Sequence, residues 1–205
     1  MEILVGTTNS GKLLEVEAVL KDLPLQVIPL TRLGTWPKIV EDGESFEENA
    51  RKKARALADF SGYVTLADDS GLEVDALGGA PGIYSARYSG EEADELKNNE
   101  KLLRELATIP RQKRGARFVC VIALCTPLSP AGAEWVFRGE CEGWIAFTPK
   151  GVKGFGYDPL FFYPPFEKTF AELDRETKSL VSHRGKALKK LTEAFPSLLC
   201  LVGKP

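Results

Sequence analysis

Short apolar runs alternate along this chain with segments whose apolar residues recur at helical spacing, which predicts alternating strands and helices. Residues 3–5 form a short apolar run typical of a buried strand, and the apolar positions within 13–23 return at helical spacing. Further strands are predicted at 25–30 and 63–67. Between these two, residues 45–60 begin with the spacing of a capping box and end before a Ser-Gly pair, which predicts a second helix.

The second half of the chain continues the alternation. It contains a charged amphipathic helix at 91–106, adjacent strands at 117–125 and 134–141, a third strand at 144–147 and a last helix at 180–195. Residues 149–165 are rich in Gly, Pro and aromatic side chains, which is typical of a loop. Because neither a repeat nor a linker divides the chain, we expect one α/β domain over residues 1–205, built on a mixed sheet.

Composition and charge narrow the class of protein. The chain carries 27 Lys and Arg against 29 Asp and Glu, a net charge of −2, and so lacks the broad positive charge on which nucleic-acid affinity depends. Its longest apolar run, residues 118–125, is far shorter than the ~20 residues that cross a bilayer. No basic segment precedes an apolar stretch near Met1, so we expect a cytoplasmic protein that binds neither nucleic acid nor membrane.

The cysteines and the single histidine exclude several metal sites. The four cysteines contain no C-x-x-C pair, and His183 alone cannot form a multi-histidine zinc site. Cys120 and Cys125 lie in an apolar run, which predicts that they are small core residues. Any metal is therefore expected to be a hard cation held by carboxylates.

The loop after the first strand resembles a phosphate-binding P-loop. Gly6, Gly11 and Lys12 have the spacing of that motif, between a strand and a helix. Backbone amides at such a turn approach phosphate oxygens, and Lys12 adds a full charge. However, Leu13 stands where a P-loop requires a hydroxyl for Mg²⁺, and an ordinary strand-to-helix turn is the simpler alternative. Residues 64–69 resemble a Walker-B strand, so a P-loop kinase remains an alternative function.

Two adjacent carboxylates, Asp68 and Asp69, end the strand predicted at 63–67. Open α/β sheets bind ligands beyond the carboxyl ends of their strands. Because neighbouring carboxylates repel each other, a divalent cation would keep both ionised, or one of them could act as a base on water. Glu41 could supply a further metal ligand. The alternatives are a solvated acidic turn for the pair and an exposed loop for Glu41.

Aromatic and basic residues form a third group. Residues 154–159 place two aromatic rings and a carboxylate among glycines, and an exposed ring offers a face on which a base stacks. Lys178 and the basic residues within 182–186 could bind phosphates or donate hydrogen bonds to a carbonyl edge. The alternatives are a core-capping turn and a solvated basic helix. The basic cluster around Lys53 is similarly typical of an exposed helix face.

Together these segments resemble a known family. Residues 67–72 read ADDSGL and residues 77–88 read LGGAPGIYSARY, strings that closely resemble the inosine triphosphate pyrophosphatase family in its bacterial dITP/XTP pyrophosphatase form. The resemblance continues, in order, through residues 8–12, 45–50, 154–159 and 182–185. One departure is that Thr7-Thr8 precedes Asn9 where many members have Thr-Gly, which removes no chemical group that the mechanism needs.

The resemblance implies a fold and an activity. The fold is α/β, an elongated mixed β-sheet flanked by helices, with two lobes and a central cleft. The activity is hydrolysis of non-standard purine nucleoside triphosphates (ITP, dITP and XTP) at the α–β anhydride, with Mg²⁺, to the monophosphate and pyrophosphate. The family's homodimeric state is implied as well.

The resemblance also implies roles for individual residues. Asp69 resembles the general base, and the metal environment would include Asp69, Glu41 and Asp68. Phe155 would stack on the purine while Asp158, His183 and Arg184 read its edge. The expected substrate-binding residues are Thr7, Thr8, Asn9, Ser10, Gly11, Lys12, Lys53, Ser70, Phe155, Gly156, Tyr157, Asp158, Lys178, His183 and Arg184, with Lys12, Lys53 and Lys178 on the triphosphate.

Three functional hypotheses follow. A pyrophosphatase releases IMP and pyrophosphate from ITP. A P-loop-like kinase or GTPase acts at the γ-phosphate and leaves a nucleoside diphosphate. A nucleotide sensor binds without turnover, even with Mg²⁺. The Maf-like nucleotide pyrophosphatases are a nearer alternative, but their N-terminal motif is missing from this sequence.

Overall fold

A computed structural model describes residues 1–128 and 132–202 of the chain, with side chains described as far as Leu198. The strands are β1 (Glu2–Val5), β2 (Gln26–Pro29), β3 (Val64–Val74), β4 (Gly115–Cys125), β5 (Glu134–Ile145), β6 (Phe161–Tyr163) and β7 (Lys168–Thr169). The α-helices are α1 (Ser10–Leu20), α2 (Phe46–Ser61), α3 (Glu95–Glu105), α4 (Arg175–Val181) and α5 (His183–Val202).

The strands form a seven-stranded sheet in the order β2-β1-β3-β4-β5-β6-β7. Strand β1 pairs in parallel with both β2 and β3, whereas β6 pairs antiparallel with β5 and β7. The predicted α/β class, a mixed sheet with flanking helices, is therefore confirmed. Across the described part of the chain, no helix combines the length and apolar character that a membrane span requires.

Contacts divide the chain into two compact units. Unit 1 consists of the described residues of Met1–Asp69, Cys120–Gly139 and Arg184–Pro205, and unit 2 of Ser70–Val119 and Glu140–His183. The expectation of a single domain over residues 1–205 stays a prediction.

Strand β1 shows how unit 1 builds its core. Side chains alternate between the two faces of a strand. Ile3 and Val5 pack in one cluster with residues of α1 and α5, whereas Leu4 packs with Leu57 of α2 in another. Both faces of β1 are therefore buried, which explains its uninterrupted apolar sequence. Cys120 also lies in this core, and Cys125 is buried too, so both predictions for these cysteines are confirmed.

The end of β1 requires a glycine. A Cβ atom built on Gly6 would lie 2.6 Å from Cδ1 of Leu57 and 3.2 Å from Cβ of Ala67. No side chain therefore fits between this turn and α2. The amide of Gly6 donates to the carbonyl of Leu66 at 2.7 Å, so the chain leaves β1 still bound to β3.

Unit 2 has an aromatic core. The rings of Phe118, Phe161 and Phe170 lie with their centroids 4.6 to 5.8 Å apart, and Leu72 of β3 and Leu102 of α3 belong to the same cluster. These residues come from five separate segments of sequence. The unit is therefore held mainly by contacts that local sequence patterns do not reveal.

Strand β3 corrects one prediction. We expected a strand that ends at Ala67, but β3 continues through Asp68 and Asp69 to Val74. Pairing with β1 stops at Leu66, so both aspartates lie inside β3 yet just beyond the carboxyl end of its neighbour. The strand tolerates the two charges because each aspartate has polar partners, Lys12 and Arg184 for Asp68 and Lys53 and Asn49 for Asp69.

Two further predictions of element boundaries were wrong. The strand expected at 144–147 is the end of β5, because the strand runs on through Gly143 and its last residues, Trp144 and Ile145, pair with β6. The last helix expected at 180–195 is two helices, since Ser182 has an extended backbone between α4 and α5. Strand β6 lies within residues 149–165, where no element was predicted, because three residues carry too little periodicity to predict a strand.

Candidate functional site

The polar residues predicted to be functional form two groups, one in each unit. In unit 1, Lys12, Glu41, Lys53, Asp68 and Asp69 form what we call the acid–lysine cluster. In unit 2, Phe155, Asp158 and Lys178 form what we call the aromatic loop group.

The first side of the acid–lysine cluster is the loop that joins β1 to α1. Asn9 caps α1, its Oδ1 accepting from the Lys12 amide at 3.0 Å, and Oγ1 of Thr7 accepts from the Asn9 amide at 3.1 Å. These bonds fix the loop, while Thr8 and Ser10 are exposed to solvent. Because the first amides of a helix have no intrahelical partner, the start of α1 favours an anion.

The two aspartates of β3 point to opposite faces of the strand, as side chains of adjacent residues must. Leu66 packs in the core cluster that includes α1 and α5, so Asp68, two residues later, faces the same side. Asp69 faces α2. The contacts agree with this placement, since Asp68 meets Lys12 and Arg184, whereas Asp69 interacts with Lys53 and Asn49 of α2.

Asp68 is surrounded by cations. Its Oδ2 lies 3.0 Å from Nζ of Lys12 and 3.0 Å from Nη2 of Arg184, whose Nε is 3.3 Å away. Nζ of Lys53 donates to the Asp68 carbonyl at 3.1 Å. Burial disfavours the charged form of this carboxyl, but Lys12, Arg184 and Lys53 outweigh burial and hold its pKa well below the ordinary value. Asp68 is therefore ionised at neutral pH.

Asp69 has the opposite character. Burial raises its pKa above the ordinary value, even though Lys53 and Lys12 attract the charged form and Asn49 donates a hydrogen bond to it. Glu41 contributes to the rise, because its own negative charge lies nearby. A buried carboxylate with a raised pKa accepts a proton more readily than an ordinary aspartate, which is the property of a general base.

Lys53 of α2 interacts with both Glu41 and Asp69. Its Nζ lies 2.9 Å from Oε1 of Glu41, and its side chain is 13% exposed. Burial alone would lower the pKa of Lys53, but Glu41 and Asp68 raise it above the ordinary value. The amine is therefore charged, and it lies with Lys12 among the carboxylates as a cation available to phosphate oxygens.

The donor set of the cluster suits Mg²⁺. Glu41 and Asp69 offer carboxylate oxygens, the ligands that this hard cation prefers, and their mutual repulsion favours a bound cation. Among the described residues, no group of three His, Cys, Asp or Glu side chains is preassembled as a metal site. Mg²⁺ at nucleotide sites usually takes one or two carboxylates together with substrate phosphates, and the cluster can supply that number.

Sequence reasoning missed two members of this neighbourhood. Glu15 is buried on α1, and its Oε2 lies 2.5 Å from Nη1 of Arg184. Asn49 is buried on α2, where its Oδ1 also accepts from the Gly43 amide at 2.8 Å. Each of them is a polar residue on the otherwise apolar, buried face of a helix, and this pattern could have indicated a functional role. Glu15 also lies about one helical turn after Lys12, on the same face.

The aromatic loop group depends on glycine. Gly154 has φ +76°, and a Cβ there would lie 2.0 Å from Oδ2 of Asp158. That oxygen accepts from the Phe155 amide at 2.9 Å and lies 2.5 Å from Nζ of Lys178. The loop therefore folds around the Asp158 carboxylate, and the Lys178 amine stands 4.7 Å from the centroid of the Phe155 ring.

Neighbouring residues hold this loop in place. Tyr157 is buried and its hydroxyl donates to the Ser85 carbonyl at 2.9 Å. Nδ2 of Asn99 donates to the Gly156 carbonyl at 2.9 Å. The ring of His183 stacks on that of Phe118, with centroids 4.6 Å apart and planes 13° apart. The positions of these groups are therefore set by packing.

The structure thus brings together, within unit 1, the predicted residues Lys12, Glu41, Lys53, Asp68, Asp69 and Arg184. Within unit 2 it brings together Phe155, Asp158 and Lys178, although Lys178 was expected on a triphosphate. Ser70 follows Asp69 in β3. Arg184 was expected to read a base edge. Its guanidinium is 1% exposed and contacts Glu15 and Asp68, so base reading by Arg184 stays a prediction.

Comparison with known proteins identifies similar sequences. Residues 3–194 match the sequence profile of the Ham1 family. The chain is 51% identical to the dITP/XTP pyrophosphatase of Geobacter sulfurreducens, over 93% of this chain and 94% of that protein. It is 50% identical to the dITP/XTP pyrophosphatase of Desulforamulus reducens, over 97% of each.

Solved structures give the same result. A HAM1 protein from Coxiella burnetii matches with a TM-score of 0.86 at 42% identity, over 96% of this chain and 99% of that chain. The Ham1 protein of Staphylococcus aureus matches with a TM-score of 0.84 at 41% identity, over the same shares of the two chains. The similarity therefore extends to nearly the whole fold.

Proposed function

The chain belongs to the Ham1 family, and we propose on that basis that it hydrolyses non-standard purine nucleoside triphosphates to the monophosphate and pyrophosphate. The family predicted from the sequence motifs is thereby confirmed. The substrates are ITP, dITP and XTP, and the bond cleaved is the α–β anhydride. The enzyme removes these nucleotides from the pool that polymerases use.

The main support for this mechanism is the opposite pKa shift of the two adjacent aspartates of β3. Asp69 is a buried carboxylate whose raised pKa suits proton abstraction, and two lysines stand beside it. Asp68, one residue earlier, is held ionised by Lys12 and Arg184. We assign Asp69 as the general base and Asp68 as the anchor of the phosphate-binding Lys12.

The reaction proceeds by attack of water on the α-phosphorus. Asp69 takes a proton from the water as its oxygen bonds to that phosphorus. The bond from the α-phosphorus to the bridging oxygen breaks, and its electron pair leaves with pyrophosphate. Lys12 and Lys53 neutralise charge that develops on the leaving group, an electrostatic contribution that is often the largest in phosphate chemistry.

The metal is proposed as Mg²⁺, which Asp69 and Glu41 would hold, with Asp68 as the third carboxylate predicted for its environment. When bound, Mg²⁺ would neutralise phosphate charge and help to orient the triphosphate. The two carboxylates are already held by the chain's own residues. Nζ of Lys53 lies 2.9 Å from Oε1 of Glu41, and Asn49 donates a hydrogen bond to Asp69. The amides from Thr7 to Gly11 complete the phosphate-binding loop.

Unit 2 supplies most of the proposed purine contacts. The ring of Phe155, which stands between Gly154 and Gly156, would stack on the base, and Ser70, Gly156 and Tyr157 are kept as further proposed binding residues. His183 and Arg184 carry the donors predicted to meet a 6-oxo group, where adenine presents an amino group instead, and Lys178 stays a predicted triphosphate contact. A donor left unpaired in a buried site costs ~1–3 kcal/mol, which favours inosine over adenine by roughly 5- to 150-fold.

A kinase or NTPase that acts at the γ-phosphate is not favoured. Such an enzyme requires a Ser or Thr hydroxyl after the P-loop lysine to hold Mg²⁺. Leu13 occupies this position and packs against the core of unit 1. The loop therefore resembles a P-loop in its amides and lysine only.

Product analysis tests the proposed function. ITP and Mg²⁺ are incubated with the protein, and the products are identified by ³¹P NMR. We expect IMP and pyrophosphate, with ATP turned over far more slowly and with no turnover when EDTA replaces Mg²⁺. IDP and orthophosphate would contradict the proposal, and binding of ITP without turnover would support a sensor.

We further propose that the protein is a cytoplasmic homodimer that binds no nucleic acid. The family resemblance supports the dimer, and the near-neutral charge of −2 supports the absence of nucleic-acid binding. Sedimentation equilibrium tests the first statement, with a mass twice the 22.5 kDa of the chain as the expected result. A fluorescence-anisotropy titration with a labelled oligonucleotide tests the second.

A further inference from the structure

Three elements of unit 1 are joined by a ring of four charged side chains that begins and ends on α1, of which Glu15, Asp68 and Arg184 are buried and Lys12 is partly exposed. Starting at α1, Lys12 contacts Asp68 of β3, Asp68 contacts Arg184 of α5, and Arg184 contacts Glu15, which returns to α1. The signs alternate around the ring, so its net charge is zero. Lys12 and Glu15 stand three residues apart and lie on neighbouring positions of one helix face.

Glu15 cannot be explained as a surface residue. It is 7% exposed, and the guanidinium that it contacts is 1% exposed. A buried carboxylate is strongly disfavoured unless it is paired, and here the pair is direct. An apolar residue at position 15 would match the rest of the buried face of α1, where Val16 and Leu20 lie.

We propose that Glu15 is a positioning residue for the phosphate-binding lysine, acting through Arg184 and Asp68. This inference rests on the proposed function, in which Lys12 contacts the triphosphate. Oδ2 of Asp68 is shared, since the amine of Lys12 and two nitrogens of Arg184 all lie within 3.3 Å of it. The strength of the contact between Arg184 and this oxygen therefore determines how strongly Asp68 fixes the position of the Lys12 amine.

Glu15 sets that strength. With Glu15 in place, Nη1 of Arg184 is occupied by a second carboxylate, and the charge of Asp68 is left to attract Lys12. Without Glu15, the remaining three groups carry a net positive charge in a buried site. Arg184 then draws Asp68 toward itself, and the contact between Lys12 and Asp68 weakens.

The test compares Glu15→Gln with Glu17→Gln. Glu17→Gln is a matched control because it removes the same charge from the same helix. Glu17 lies two residues after Glu15 and therefore on the other side of α1. We expect kcat/KM for ITP to fall about 10- to 100-fold in Glu15→Gln, the usual effect of losing a partner of a functional ligand, and less than about twofold in Glu17→Gln.

A double-substitution cycle separates positioning from a purely structural role. If Glu15 acts through Lys12, Glu15→Gln lowers kcat/KM by no more than about twofold when Lys12 is already Met. A full 10- to 100-fold further loss in the Lys12→Met background would overturn the inference. If Glu15→Gln does not fold, as judged by circular dichroism, Glu15→Asp is used, which keeps the charge but withdraws it by one methylene.

A second measurement does not depend on turnover. In protein labelled with ¹³C-lysine, the ¹³Cε signal of Lys12 is assigned by its absence from Lys12→Arg. We expect this signal to move toward those of exposed lysines in Glu15→Gln and to stay in place in Glu17→Gln. An unmoved signal contradicts the inference. Failure of the wild-type chain to hydrolyse ITP would contradict the proposed function while leaving this result interpretable.

Discussion

The two faces of β3 hold the same residue type and use it in opposite ways. On the face toward α1 and α5, Asp68 is surrounded by Lys12 and Arg184, and its pKa is held far below the ordinary value. On the face toward α2, burial raises the pKa of Asp69. One peptide unit therefore separates a fixed anion from a proton acceptor.

This difference shows how a strand assigns separate roles to adjacent residues. Alternation directs the two carboxylates to different helices, and each helix then brings different partners. Two cations meet the oxygen of Asp68, whereas Asp69 has Glu41 as well as Lys53 in its surroundings. The chemistry of each aspartate is therefore decided by the helix that it faces.

Removal of the proposed base should have the largest effect on rate. We expect Asp69→Asn to lower kcat for ITP by ~10²- to 10⁴-fold, the usual contribution of general base catalysis. Its melting temperature should be unchanged or higher, because a carboxylate whose pKa is raised by burial is disfavoured at neutral pH. Steady-state kinetics and thermal unfolding measure the two effects, and a near-normal kcat would remove Asp69 from this role.

The same substitution one residue earlier should act on stability. Asp68→Asn leaves the buried Arg184 and the partly exposed Lys12 without their shared anion, so we expect the free energy of unfolding to fall by ~3–5 kcal/mol. The melting temperature would drop by about 6–20 °C. Equilibrium denaturation in urea measures this effect. Equal stabilities for the Asn variants at positions 68 and 69 would eliminate the contrast between the two faces.

The pH dependence of activity sharpens the comparison further. Since Asp69 must be ionised to accept a proton, kcat/KM should fall as the pH drops through its pKa, at a higher pH than an ordinary aspartate would give. Asn49 stabilises the ionised form by a hydrogen bond, so Asn49→Ala should move this acid limb to still higher pH. A profile of kcat/KM against pH for both proteins measures the shift, and an acid limb that does not move would contradict it.

The smallest expected effect distinguishes the two lysines. Both favour the ionised form of Asp69, and Lys53 does so more strongly than Lys12. Lys53→Met should therefore raise the pH of the acid limb more than Lys12→Met, although both substitutions weaken binding of the triphosphate. The same pH profile measures this, with Lys52→Met, an exposed neighbour on α2, as the control. A larger shift for Lys12→Met would reverse the assignment of the two faces.

Much of the site was predictable because it lies in local motifs. Lys12 follows a strand and a glycine-containing turn, and Asp69 stands beside a second carboxylate in a hydrophobic stretch, so each carries its signal within a few residues. Gly154 likewise predicted a loop with unusual backbone angles, and its φ is +76°. The elements β1, α1, β2 and α2 of unit 1 were predicted for the same reason, since their periodicity is strong.

What could not be predicted depends on contacts between distant segments. Arg184 and Glu15 meet across 169 positions of sequence, and nothing near either residue indicates the other. The continuation of β3 through two aspartates was also hidden, because the partners that offset their charges come from α1, α2 and α5. Local sequence predicted that these acids matter but not that they lie within a strand.

The most direct test is hydrolysis of ITP with Mg²⁺ in water enriched in ¹⁸O, followed by mass spectrometry of the products. If Asp69 activates a water that attacks the α-phosphorus, we predict one ¹⁸O atom in IMP and none in pyrophosphate. Label in pyrophosphate would place the attack on the β-phosphorus, and label in orthophosphate beside unlabelled IDP would place it on the γ-phosphorus. Either of the last two results would contradict the mechanism.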